Sequence, residues 1–173
     1  QAFGRGDKDD GRCFLHQGLW LGVLLGAGVA LLVFASLPLL SLMGIDEELL
    51  SISRHYLSWI VLGLPCAGLY QAMRSFVEGY ARAKAVMLIN VFALLANIPL
   101  NYIFIFGKWG LPVMGGAGCG VASALVLLLM ALLMLLYILM SKLKDHSFVW
   151  AWVGLDFSYL SRLMMIGLPI GLS

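Results

Sequence analysis

The chain has 173 residues, of which 62% are hydrophobic and only 12% are charged. Soluble domains carry about 25% charged residues. The composition therefore excludes a soluble globular domain, a disordered tail, a collagen-like chain and a disulfide scaffold, and it favours a polytopic membrane protein. The net charge of +2 and the lack of a basic cluster with interleaved aromatic residues exclude nucleic acid as a partner.

Four stretches are long and apolar enough to cross the hydrocarbon core of a bilayer, which requires about 20 residues of helix. They are residues 17–43, 56–77, 85–107 and 118–141. A fifth apolar run begins near Arg162. We therefore predict an all-α, polytopic transmembrane helix bundle with four full spans and the start of a fifth. Because the chain begins with Gln1 and ends within an apolar run, we expect it to be an internal piece of a longer protein.

The orientation of the spans follows from the distribution of positive charge. Nine of the eleven Lys and Arg residues lie in or beside residues 1–16, 78–84 and 142–161, while the other two connections hold only Arg54 and Lys108. We expect the three richer segments to be cytoplasmic. Segment 142–161 also contains five aromatic residues, which suits either an amphipathic stretch at the interface or a loop packed on its own helices.

Three asparagines lie on one stripe of the third span, since 100° per residue brings Asn90, Asn97 and Asn101 to the same helix face. Pro99 stands between the last two and removes one backbone hydrogen bond, leaving a carbonyl free. Such an uncharged, oxygen-rich patch can coordinate Na⁺ or bind a carboxyl group. The alternative is that the amides only join neighbouring helices.

Two further features of the spans have a functional and a structural interpretation. Pro65 and Pro99 predict helix kinks, which lie beside substrate or ion sites in many transporters or only shape the bundle. Arg74 and Glu78 stand four residues apart at the inner end of the second span and can pair. They form a gating or anchoring pair, or a structural one.

Small residues recur every four positions in the first span, at Gly18, Gly22, Gly26 and Ala30. This stripe predicts close packing of another helix, within the chain or across a dimer.

The sequence lacks the motifs of several other classes of protein. Its three cysteines are scattered and are interpreted as small apolar residues, and its three histidines lie near span ends. No nucleotide-binding motif and no hydrolytic triad is found. We therefore expect no transition metal, no cofactor and no enzyme activity.

Five segments resemble those of the multidrug and toxic compound extrusion (MATE) transporters, most closely the bacterial NorM-like branch. They are QAFGRGD at residues 1–7, QAMRSFVEG at 71–79, NIPLNYIF at 97–104, GGAGCGVAS at 115–123 and GLP at 167–169. Each segment is weakly specific alone, but together they span the chain in the order of the family.

The resemblance implies a twelve-helix exporter of two six-helix lobes in the bacterial inner membrane. Residues 1–161 would form helices three to six of the N-terminal lobe, and 162–173 the start of helix seven. The family couples export of organic, often cationic, drugs to entry of Na⁺ or H⁺ by alternating access. We expect the whole protein to act as a monomer without a cofactor.

The resemblance also implies a site. Asn97 and Asn101 match fifth-helix positions that bind the coupling cation, and Ser123 matches a sixth-helix hydroxyl position where Thr is common. The family's acids on helices one and seven fall outside this sequence. Asn rather than Asp at position 101 favours Na⁺. The alternatives are a flippase for lipid-linked precursors and, outside transport, a structural membrane subunit.

Overall fold

A computed structural model describes residues 8–43, 46–110 and 112–141. The resemblance at residues 1–7, the aromatic segment 142–161 and the beginning of a further helix at 162–173 lie outside the described residues.

The described residues form four long α-helices and no strand. The helices are α1 (Lys8–Ser36), α2 (Glu47–Gly79), α3 (Ala83–Phe106) and α4 (Gly116–Met140). Short 3-10 turns follow α1 at Leu37–Met43 and α3 at Lys108–Gly110. Four helical segments are long and apolar enough to cross a membrane, at Leu15–Ser41, Glu47–Gly79, Ala83–Phe106 and Gly116–Met140. The prediction of an all-α transmembrane bundle is confirmed.

Each helix begins before its predicted span, and α2 also ends beyond its own. α2 begins at Glu47, nine residues before position 56, and its first turn holds Glu47 and Glu48. Acidic side chains are favourable there because they offset the positive end of the helix dipole. At the end of the first span the α-helix gives way to a 3-10 turn at Leu37, because Pro38 has no N–H and disfavours α-helical geometry in the residue before it.

The helices pack in the spatial order α1, α2, α4, α3. α2 packs along α1 and α4, and α4 also packs along α3, whereas α2 and α3 meet over a short length. The main buried cluster lies where α1 and α3 begin and α2 and α4 end, which is the side predicted to be cytoplasmic. Its members are Leu15, Tyr70, Met73, Phe76, Val77, Val86, Ala131, Met134 and Ile138.

Glycines bring α1 and α2 into backbone contact. A Cβ on Gly22 would collide with the carbonyl oxygen of Gly68, and a Cβ on Gly68 would collide with that of Gly22. One turn further on, a Cβ on Gly26 would lie 2.7 Å from the carbonyl oxygen of Leu64. The small-residue stripe of α1 therefore serves packing within the chain, although a Cβ on Gly18, where the stripe begins, would meet no atom within 4 Å.

The first turns of α4 pack equally tightly, but against two helices. A Cβ on Gly118 would lie 2.5 Å from the carbonyl oxygen of Phe104 in α3, and one on Gly120 would lie 2.7 Å from that of Tyr56 in α2. Cys119 lies between these two glycines. The glycine contacts therefore hold this part of α4 against the end of α3, next to the predicted asparagine site.

Candidate functional site

Asn97 and Asn101 form a hydrogen-bonded pair on α3. The side-chain nitrogen Nδ2 of Asn101 donates to the backbone oxygen of Asn97 over 3.0 Å and also to its side-chain oxygen Oδ1. Both residues are partly buried, and they are four residues apart, which places them on one helix face. The pair therefore brings several amide oxygens together within an apolar span.

Cys119 on α4 joins this pair, a contact that the sequence did not predict. Its thiol Sγ donates to Oδ1 of Asn101 over 3.0 Å. From their scattered positions the cysteines are interpreted as small apolar residues only. For Cys119 that interpretation is incomplete, because its thiol also donates a hydrogen bond. The signal that could have revealed this contact is its spacing from Ser123, since two residues four apart share one face of a helix.

Ser123 lies one turn beyond Cys119 on α4. Because α3 and α4 run in opposite directions, one turn forward along α4 corresponds to one turn backward along α3, which brings Ser123 level with Asn97. Within the described part of the chain, however, no hydrogen bond to Ser123 is found. Within the described residues, Cys119 rather than Ser123 is thus hydrogen-bonded to the asparagine pair.

Asn90 is separated from the other two asparagines of the stripe. Its side-chain oxygen Oδ1 accepts a hydrogen bond from the hydroxyl of Tyr70, which lies on α2 and is buried. Asn90 therefore joins α3 to α2, as the interhelical interpretation of the stripe predicted, while Asn97 and Asn101 face α4. One stripe in the sequence contributes to two different contacts.

Both prolines lie inside continuous α-helices. α2 runs through Pro65 and α3 runs through Pro99 without a break. Since Pro99 cannot donate to the carbonyl of residue 95, the backbone oxygen of Leu95 lacks its usual partner from the helix. Pro65 lies at the contact between α1 and α2, where its Cα would be 3.1 Å from a Cβ on Gly26.

Arg74 and Glu78 form an ion pair at the inner end of α2, with Nε of Arg74 2.8 Å from Oε1 of Glu78. Their side chains are 38% and 39% exposed. An exposed pair of this kind contributes about 0.2–1 kcal/mol. The pair borders a groove of about 330 Å³ that also reaches Asn90. Just beyond α2, burial raises the pKa of the Tyr80 phenol.

The groups around Asn101 that could bind a ligand are uncharged oxygen atoms and one thiol. Among the residues that the structure describes, no group of three His, Cys, Asp or Glu side chains could hold a metal ion. Amide oxygens suit hard cations such as Na⁺, or they can bind a carboxyl group. The arrangement can therefore coordinate or hydrogen-bond a ligand.

The comparison with known proteins identifies the family. The profile of the MatE family matches residues 1–103, which is more than half of the chain. The chain belongs to the MatE family. This family consists of transporters, and the resemblance seen in the sequence motifs is confirmed.

Several MatE relatives are similar over much or all of this chain. The multidrug resistance protein PmpM of Pseudomonas aeruginosa is 37% identical over 100% of the chain and 37% of its own length. The multidrug resistance protein NorM of Vibrio cholerae is 37% identical over 76% of the chain and 29% of its own length. NorM of Photobacterium profundum is 35% identical over 100% of the chain and 38% of its own length. The chain thus spans well under half the length of these relatives.

Proposed function

We propose that this chain is part of a secondary active multidrug exporter. Its described helices would be helices three to six of a twelve-helix, two-lobe transporter, with residues 1–161 in the N-terminal lobe and 162–173 at the start of helix seven. The names of the relatives support multidrug efflux. The sequence motifs support the numbering of the helices. The proposed substrates are organic, often cationic, compounds.

The observation that carries the proposal is the asparagine pair of α3. Polar side chains within a span are costly in lipid, so they are retained where they bind one another or a ligand. Asn97 and Asn101 bond to each other and to Cys119, next to the tight contact between α3 and α4. We assign the coupling cation to this pair, with Ser123 one turn away as a further oxygen donor.

Na⁺ is the favoured coupling ion. A neutral amide oxygen is a ligand for Na⁺, but an amide does not take up a proton at physiological pH. Coupling to H⁺ would therefore require a carboxyl group beyond the asparagine pair, and we keep H⁺ as the alternative ion. Neither ion requires a cofactor.

Transport would proceed by alternating access between an inward-open and an outward-open arrangement. A cation shifts this equilibrium only by the difference between its affinities for the two arrangements. Binding at Asn97 and Asn101 would change the packing of α3 on α4, and the prolines at positions 65 and 99 would permit changes of helix bend. The ion pair of Arg74 and Glu78 would stabilise the inner end of α2 or gate it.

The whole protein would lie in the bacterial inner membrane as a monomer. Residues 1–16, 78–84 and 142–161 would be cytoplasmic, because the positive charges concentrate there.

The proposal is tested by efflux of a fluorescent cationic dye from cells that make the whole protein, under an imposed Na⁺ or pH gradient. We expect gradient-driven efflux that Asn97→Ala reduces at least tenfold. Asn90→Ala is the matched control, since it removes the same amide from the same helix but outside the pair. Equal efflux by wild type and Asn97→Ala would disprove the site. No dye efflux from well-expressed protein would instead favour a flippase for lipid-linked precursors.

A further inference from the structure

The Asn101 side chain uses both ends of its amide in the structure. Its nitrogen donates a hydrogen bond to Asn97 on the same helix, while its oxygen Oδ1 accepts a hydrogen bond from the thiol of Cys119 on α4. The contact of Gly118 with the backbone of Phe104 holds α4 close to α3 beside this bond. The thiol is therefore held against the oxygen that a cation bound by the pair would use.

A cation and a hydrogen-bond donor compete for the same oxygen because both are attracted to its negative partial charge. The strength of the donor then sets how much free energy the cation must supply to displace or reorient it. A cysteine thiol donates a weak hydrogen bond, whereas a serine hydroxyl at the same position would donate a stronger one. A weak donor keeps the amide satisfied within the membrane while opposing cation binding only slightly.

We propose that Cys119 is a positioning residue that holds Oδ1 of Asn101 and thereby sets the affinity of the transporter for its coupling cation. This inference rests on the proposed function, because it assumes that the cation binds at Asn97 and Asn101. It adds to the site, next to Ser123 on α4, a residue that binds no ligand itself. The cation affinity should follow the donor strength at position 119.

Two substitutions at position 119 change the donor strength in opposite directions. Cys119→Ser supplies a stronger donor to the same oxygen, and Cys119→Ala supplies none. Both substitutions make the side chain smaller. If Cys119 only filled space, both would therefore shift the cation affinity in the same direction. Cys66 provides the matched control, since it lies on α2 against the buried cluster and no hydrogen bond from it is found among the described residues.

The experiment measures the Na⁺ concentration that gives half-maximal dye transport by the whole protein in proteoliposomes. We expect Cys119→Ser to raise it about fivefold and Cys119→Ala to lower it about threefold, as a change of about 1 kcal/mol in one hydrogen bond would do. The maximal rate and the half-saturating dye concentration should stay within about twofold of wild type. Cys66→Ser and Cys66→Ala should leave the Na⁺ requirement unchanged.

The outcomes separate this inference from the proposed function. Equal Na⁺ requirements for wild type and both Cys119 variants, or shifts in the same direction, would overturn the inference while Asn101→Ala still abolished Na⁺ dependence. Wild-type transport that is independent of Na⁺ would contradict Na⁺ as the coupling ion. Transport that survives Asn101→Ala with its Na⁺ dependence intact would contradict the proposed cation site. Either result would overturn the inference as well.

Discussion

Asn90 and Asn97 are chemically identical residues on one face of α3, yet their partners differ. Asn90 bonds to the hydroxyl of Tyr70 on α2, whereas Asn97 bonds to Asn101 beside α4. The difference arises because α3 meets α2 only over a short length, which includes Asn90, and packs more extensively on α4. We therefore propose a structural role for Asn90 and a ligand-binding role for the pair.

Tyr70→Phe tests the structural assignment of Asn90. The substitution removes the hydroxyl donor and leaves Oδ1 of Asn90 without it, so we expect the free energy of unfolding to fall by about 0.5–1.5 kcal/mol. Unfolding of the purified protein in mixed micelles measures this loss. Tyr102→Phe is the control, since the exposed Tyr102 contacts Phe106 through its ring, which the substitution keeps. Equal losses for both variants would contradict the assignment.

The asparagine site could be predicted from the sequence in part. Residue type and the 100° helical period were sufficient to place Asn97 and Asn101 on one face, because that relation is local. Cys119 could not be assigned in this way, since its role depends on how α4 lies against α3. That register is a long-range property, fixed by the contacts of Gly118 and Gly120 with two other helices.

At the scale of the helices, glycine determines which backbones touch. Gly22 of α1 and Gly68 of α2 approach each other so closely that neither position has room for a side chain. In lipid the hydrophobic effect does not drive helices together, so van der Waals contact of this kind stabilises their association. The four-residue repeat predicted the packing face of α1, but the sequence left open whether the partner was α2 or a second copy.

Gly22→Ala and Gly18→Ala separate helix packing from helix propensity. Both substitutions place a methyl group on the same face of α1, one turn apart. Alanine in a helix is favoured over glycine by about 0.5–1 kcal/mol. Gly18→Ala should therefore be neutral or slightly stabilising, while Gly22→Ala should cost about 1–3 kcal/mol because its Cβ meets the Gly68 carbonyl. A similar thermal stability for the two variants would show that α1 and α2 are not in backbone contact.

The ends of the helices were less predictable than their number. Charged residues marked the limits of the predicted spans, but a helix continues past a charge where its end reaches water or headgroups. α2 accordingly begins at Glu47 and includes Arg54. The change to a 3-10 turn at Leu37 follows from Pro38. The predicted spans did not include this local signal, because they were bounded by charged residues and proline is uncharged.

For the whole molecule, the proposed orientation gives α3 one end on each side of the membrane. Lys84 is exposed near the beginning of this helix, and Lys108 follows its other end. A membrane-impermeant maleimide should label Lys108→Cys in intact cells and Lys84→Cys only after permeabilisation, compared with protein lacking either substitution. Labelling in the reverse order would overturn the orientation drawn from the positive charges.

The central claim is that Asn97 and Asn101 couple cation entry to drug export. It is tested most directly by measuring ion-driven dye efflux from proteoliposomes. The whole protein would be reconstituted with a cationic dye inside and with a Na⁺ gradient, a pH gradient or neither. We predict that an inward Na⁺ gradient drives dye out, that Asn101→Ala reduces this flux at least tenfold, and that Asn90→Ala leaves it within about twofold. A Na⁺-driven flux that Asn101→Ala leaves unchanged would contradict the claim.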